Sequence, residues 1–228
     1  MNILAIDTST KIFSLAVSKD ALILASQDIE LDKVLSSSII PSIDAIFKKA
    51  KIPFSKIDGF AVGLGPGSFT SLRVGLSTIK GFCLASAKPM VGICSLDLIA
   101  LNVAGSKSDI CVLTDAKRNM VYAAVFSKIA DGLRRKTKYL LVEMKDLLPK
   151  IKNETIFIGD GLGLYKSVIQ EYCIKKSLNV HFEDEQKWLP RATSLCLLAA
   201  ERFAAKKTDD YNKIVPIYLY PEDCQVRP

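Results

Sequence analysis

Ile3-Leu4-Ala5-Ile6-Asp7-Thr8-Ser9-Thr10-Lys11-Ile12-Phe13-Ser14-Leu15-Ala16-Val17 is the stretch from which the fold is read. Two apolar runs flank a polar Asp-Thr-Ser-Thr-Lys bend, the pattern of a hairpin with its polar side chains gathered at the turn. The pattern returns without a gap at Cys111-Val112-Leu113-Thr114, Asp115-Ala116-Lys117-Arg118-Asn119 and Met120-Val121-Tyr122-Ala123-Ala124-Val125. Asp7 then falls on Asp115, Leu15 on Ala123 and Val17 on Val125. A second echo follows in the same order. Phe60-Ala61-Val62-Gly63-Leu64-Gly65-Pro66-Gly67 and Ile156-Phe157-Ile158-Gly159-Asp160-Gly161-Leu162-Gly163 each run from a strand into a glycine loop and on into a helical pattern. Between hairpin and loop each half carries another helix, about Lys33 to Ala50 in the first and about Met144 to Ile151 in the second.

One echo is also what two ordinary hairpins would give; two in the same order argue for a duplication. The expectation is an α/β chain of two ββ(β)αβα lobes, residues 1–105 and 106–228, joined by the polar Gly105-Ser106-Lys107-Ser108, with the tail free to return to the first lobe. This plan resembles the actin-like (ribonuclease H-like) superfamily of actin, sugar kinases and Hsp70 ATPases. There the hairpin turns grip ATP phosphates and Mg²⁺, an acid holding the metal and glycine admitting backbone N–H groups to the anion. The matching positions form a degenerate nucleotide cleft of Asp7, Thr8, Ser9, Gly65, Gly67, Asp115 and Lys117. Neither turn keeps the glycine expected after its aspartate.

The loop Gly63-Leu64-Gly65-Pro66-Gly67-Ser68-Phe69-Thr70 reads two ways. It is an anion loop at a helix N-terminus, or a tight turn in which Ser68 caps the helix beginning at Phe69. It lacks the Gly-Lys-Ser/Thr of a Walker loop and the spacing of a dinucleotide fingerprint. Along the helix from Phe69 to Ala85, Phe69, Leu72, Leu76, Ile79 and Cys83 make one stripe, expected to pack on the sheet; Ser71, Val74, Thr78, Gly81, Phe82 and Ala85 make an uncharged opposite face. The preceding helix spreads Leu35, Ile39, Ile40, Ile43, Ile46 and Phe47 over a broad stripe. Mutual cover and a partner interface explain these faces equally well.

The 228 residues are 49% hydrophobic, enough for one large core or two small ones. The apolar run from Phe69 to Ala87 is broken by Arg73 and Lys80, and the start goes straight into a strand pattern without a basic leader; the expectation is a cytoplasmic protein with no membrane partner. A net charge of +7 favours a polyanion. The basic residues read as spread along the chain, so a nearby tRNA is compatible with the charge and a binding surface is not assigned. Cys83, Cys94, Cys111, Cys173, Cys196 and Cys224 form no Cys-x-x-Cys pair and read as reduced core residues. The single histidine, His181, reads as an exposed loop residue and builds neither a zinc site nor a triad, so no catalytic residue, metal or cofactor is assigned.

Ile3 to Thr10, Val62 to Gly75 with Lys80-Gly81, Asp115-Ala116-Lys117-Arg118 with Val121-Tyr122, and Pro216-Ile217-Tyr218-Leu219 together resemble the bacterial TsaB (YeaZ) family. The Gly-Pro-Gly-Ser-Phe-Thr block at 65–70 is its most specific part. The resemblance implies a non-catalytic paralogue of the TsaD synthase, which places a threonylcarbamoyl group on the adenosine beside the tRNA anticodon. It implies a heterodimer with a TsaD-like synthase, an ATPase subunit in the same complex, and a homodimer when alone. The His-x-x-x-His metal pair of the catalytic paralogue has no counterpart in Leu31 to Pro41. Pairing through the first two helices would engage Ser37, Ile40, Thr70, Val74, Ser77, Thr78 and Gly81. Ser71, where many relatives have glycine, and Tyr220, where arginine is common, depart from the family pattern. An ATP-dependent phosphotransferase is the alternative function; a peptidase has no nucleophile and base to work with.

Overall fold

The computed structural model describes residues 1–30, 35–130 and 132–220. Lys33 and Val34, expected to open the first helix, and Cys224 lie outside the described residues. The chain divides into two compact units.

The first unit comprises Met1–Leu98 and Pro190–Ile217. Its sheet holds β1 (Asn2–Asp7), β2 (Ile12–Lys19), β3 (Leu22–Glu30), β4 (Gly59–Gly63) and β5 (Met90–Ile93), in the order β3-β2-β1-β4-β5. The hairpin pairs are antiparallel, and β4 and β5 run parallel to β1. On one face lie α1 (Leu35–Ala50) and α2 (Phe69–Ser86), closing a core of Leu4, Ile6, Leu15, Val62, Ile43 and Ile79. On the other face α6 (Ala192–Ala204) packs Leu195, Cys196 and Ala199 against Ile3, Ala5, Ala61 and Val91. Cover on both faces explains why Ile3 to Ile6 is apolar without alternation: odd and even positions are both buried. The sequence divides the chain at 105/106 and leaves the tail free to return to the first lobe; by contacts the units divide at Leu98/Ile99, and Pro190–Ile217 belongs to the first unit.

The second unit, Ile99–Leu189 and the chain from Tyr218, repeats the plan. Its strands are β6 (Asp109–Asp115), β7 (Met120–Ile129), β8 (Gly132–Arg135), β9 (Leu140–Glu143), β10 (Thr155–Ile158) and β11 (Val180–Phe182). The order β11-β10-β6-β7-β8, with β9 also on β7, matches the first sheet, an interrupted β8/β9 edge standing for β3. The helix expected at Met144 to Ile151 is one turn of α4 (Met144–Leu147) followed by a 3₁₀ turn at Leu148–Lys150. With α5 (Leu162–Lys175) it covers a core of Leu113, Val121, Ala123, Leu147, Phe157 and Ile169. α3 (Ser95–Leu101) spans the division between the units in sequence. His181 sits on β11, not in a loop, with Nε2 3.1 Å from Glu154 Oε1 on the exposed surface. Cys83, Cys94, Cys111, Cys173 and Cys196 are buried free thiols.

Candidate functional site

The end of β1 and the glycine loop after β4 are built around each other. Asp7 has no exposed surface. Its Oδ1 accepts from the backbone N–H of Ser9 at 2.9 Å and the Ser9 hydroxyl at 2.6 Å, while Oδ2 accepts from the Ser95 hydroxyl at 2.6 Å. Ser95 Oγ in turn accepts from Gly65 N–H at 3.1 Å, and Ser68 N–H donates to Ser9 O at 2.8 Å. Thr8, also fully buried, donates through Oγ1 to Ser71 O at 2.9 Å. A Cβ on Gly63 would stand 1.8 Å from Asp7 Oδ2, one on Gly67 2.0 Å from Ser9 O, and one on Gly75 2.4 Å from Thr8 Oγ1. Only glycine tolerates such approach, and Gly65 also has φ +82°. Loss of hydration pushes the Asp7 carboxyl above its ordinary value, against the pull of the hydrogen bonds from Ser9 and Ser95. The glycines and hydroxyls are thus engaged in packing the turn. Ser68 occupies the N-cap position without a capping hydrogen bond; its hydroxyl meets that of Ser71 at 3.0 Å instead.

The second turn differs, and register explains why. In the first unit Ile6 lies opposite Val62, the residue before Gly63; in the second, Val112 lies opposite Ile158, the residue before Gly159. Measured against the glycine loop, the counterpart of Asp7 is Leu113, and a Cβ on Gly159 would fall 2.1 Å from Leu113 O. Asp115 lies two residues further on, so the ungapped match of Asp7 with Asp115 holds along the sequence and not in the sheet. There Asp115 donates its N–H to Asp160 Oδ1 at 3.0 Å and accepts from Lys117 at both oxygens, from N–H at 2.8 Å and from Nζ at 2.5 Å. Partial burial raises the Asp115 carboxyl, but Lys117 outweighs it and holds the group below its usual range. Asp160 is pushed up by its own burial. Lys117, Arg118 and Asn119 all take left-handed φ values, 64°, 53° and 60°. The Tyr220 hydroxyl donates to Ala116 O at 2.8 Å and its ring meets Tyr122 edge-on.

α1 and α2 carry the remaining assigned residues. Ser37, Ile40, Thr70, Ser77 and Gly81 are exposed, and Val74 and Thr78 half-buried. Arg73 and Lys80 are the only charged residues of α2. Among the described residues a Cβ on Gly81 would meet nothing within 4 Å. Leu72, Leu76, Ile79 and Cys83 are buried as expected, whereas Phe69 is 52% exposed, with the Arg73 guanidinium 3.8 Å above its ring. Ile40 also leaves the expected buried stripe of α1. Phe82, placed on the outward face by periodicity, joins Phe54 and Phe60 in an aromatic cluster. The sequence does not single out Ser95, because nothing in Cys94-Ser95-Leu96 marks a partner 88 positions away.

Among the described residues no three His, Cys, Asp or Glu side chains gather as a metal site requires, and no helix is long and apolar enough to cross a membrane. The family model for TsaD, tRNA N6-adenosine threonylcarbamoyltransferase, matches residues 30–225. The tRNA threonylcarbamoyladenosine biosynthesis protein TsaB of Escherichia coli is 26% identical over 225 residues, covering 96% of this chain and 94% of that protein. Its Bacillus subtilis namesake is 25% identical with the same coverage. The solved structure of YeaZ from Pseudomonas aeruginosa superimposes with a TM-score of 0.77 at 21% identity, over 96% of this chain and 99% of that one. The ROK hexokinase of Thermus thermophilus shares the fold at a TM-score of 0.51 and 10% identity, over 90% of this chain and 100% of that one.

Proposed function

We propose that this chain, which belongs to the TsaD family and within it to the TsaB (YeaZ) proteins, serves tRNA threonylcarbamoyladenosine formation as a partner subunit that performs no chemistry of its own. The observation that carries the reading is the outward face of α2. A glycine in mid-helix costs about 1 kcal/mol relative to alanine. Gly81 accepts that cost with open space where its side chain would be, so nothing among the described residues requires it. A second helix laid closely across Thr70, Val74, Ser77, Thr78 and Gly81, reaching Ser37 and Ile40 on α1, would require it. The occupant is a TsaD-like synthase in a heterodimer, or a second copy when the synthase is absent, with the ATPase subunit joining the complex. A cytoplasmic setting accompanies this reading, since tRNA is modified there.

The alternative, an ATP-dependent phosphotransferase, would need the acid of the first turn to face a bound metal. The closed hydrogen-bond set around Asp7 speaks against it. Light scattering tests the partner reading: the chain alone should run as a homodimer, should shift to a heterodimer with the synthase, and as Gly81→Glu should remain a folded monomer in both cases. An unchanged mass for the variant would refute the interface. Calorimetric titration should find no Mg-ATP binding to the isolated chain; stoichiometric binding would favour the phosphotransferase.

A further inference from the structure

Ten lysines and arginines but only three acidic residues fall between 117 and 152, so this stretch alone accounts for the net charge of +7 and the rest of the chain balances. The basic residues are therefore massed, contrary to the impression from the chain as a whole. The stretch is also contiguous in the fold. It includes β7, β8 and β9, the margin of the second sheet beyond β6, and the α4 turn that follows them.

Lys117 is tied to Asp115, Lys136 to Asp109 and Lys145 to Glu143. Lys128, Arg134, Arg135 and Lys138 are exposed and have no carboxylate partner among the described residues. The register places Leu133 opposite Lys128 and Arg135 opposite Phe126, so Lys128 and Arg135 lie on one face of the sheet as diagonal neighbours, with Arg134 on the other. The Arg135 guanidinium lies 3.7 Å from the centroid of the Tyr139 ring. Stacking there presents a flat cation while leaving its N–H groups at the rim for phosphate oxygens. Charges on an edge strand also deter sheet extension. One or two suffice for that, and it does not account for the five lysines and arginines between 128 and 138.

We propose that the β7–β8–β9 margin of the second unit binds the phosphodiester backbone of a folded RNA through Lys128, Arg134, Arg135 and Lys138. The RNA is tRNA if the function proposed above holds; the strip itself rests on the charge and geometry alone. Phosphate contacts of this kind release counterions and make binding steeply salt-dependent, by roughly 0.9 of a log unit per contact for each tenfold change in salt.

The test is fluorescence anisotropy with an unmodified tRNA transcript and the full chain between 50 and 200 mM salt. Lys128→Glu/Arg134→Glu/Arg135→Glu should weaken binding more than tenfold and lower the log–log salt slope by about 3. The control, Lys206→Glu/Lys207→Glu/Lys213→Glu, makes the same charge change outside the strip and should bind like the wild type. Should the reversals impair folding by circular dichroism, Arg134→Gln/Arg135→Gln is expected to give an intermediate loss. Absence of wild-type binding at 50 mM salt, an equal loss in the control, or displacement by polyglutamate as readily as by tRNA would each overturn the strip. Light scattering with the synthase runs in parallel. Intact pairing without RNA binding counts against the strip alone, and RNA binding without pairing counts against the partner reading alone.

Discussion

A carboxylate with no exposed surface is stable in a protein only if donors replace its water, and Asp7 has three: Ser9 N–H, Ser9 Oγ–H and Ser95 Oγ–H. Burial still dominates, so the folded state holds the proton more tightly than the unfolded chain, whose value is near 3.8. The sign follows from linkage: the contribution of Asp7 is fully favourable below that value and is lost as pH rises through the raised folded value. Asn in its place keeps an acceptor for both Ser9 donors and has no charge to desolvate. Asp7→Asn should therefore be at least as stable as the wild type at pH 7, the difference shrinking towards pH 4. Urea midpoints across that range read it, and a wild type more stable than the variant at neutral pH would refute the account. The acid was legible in the sequence as the polar point of a hairpin; its environment was not, because Gly63 reaches it through the parallel pairing of β1 with β4 and Ser95 through that of β4 with β5.

Along α2, a period of 3.6 residues assigned the stripe correctly at Leu72, Leu76, Ile79 and Cys83 and failed at its first member. Phe69 follows directly on the loop that grips the first turn, where Ser68 N–H donates to Ser9 O, and its ring lies half outside the core beneath the Arg73 guanidinium. Phe69 and Phe60 should accordingly respond differently to truncation. Phe60→Ala empties a site with no exposed surface and should cost about 3–5 kcal/mol. Phe69→Ala should change stability by no more than about 0.5 kcal/mol. Denaturant titration separates the two outcomes, and equal costs would mean that Phe69 is packed.

The first unit is assembled from distant parts of the chain, since α6 supplies the second cover of a sheet whose last strand ends at Ile93. Without it Ile3, Ala5, Ala61 and Val91 would face water. At roughly 0.8 kcal/mol per buried CH₂, exposure of that face removes several kcal/mol, comparable to the whole stability of an ordinary domain. A chain ending at Leu189 should therefore lose the protected amides of β1 and β4 in hydrogen exchange, while those of β6 and β10 persist. Retained protection in β1 would show that α6 is dispensable. The sequence suggested that the tail could return to the first lobe; nothing local marked Ala192 as the place where the return begins.

What the sequence determined by itself is the repeated plan, because apolar runs, polar turns and glycine loops are local patterns that each half states once and the chain therefore twice. The tertiary structure alone decided which residues meet. The two-residue offset that makes Leu113 the counterpart of Asp7 comes from strand pairing between β6 and β10. The burial of Asp7 and the cover that α6 gives the first sheet have the same origin. Each depends on register and cover between segments far apart in the chain, and neither composition nor periodicity carries that information.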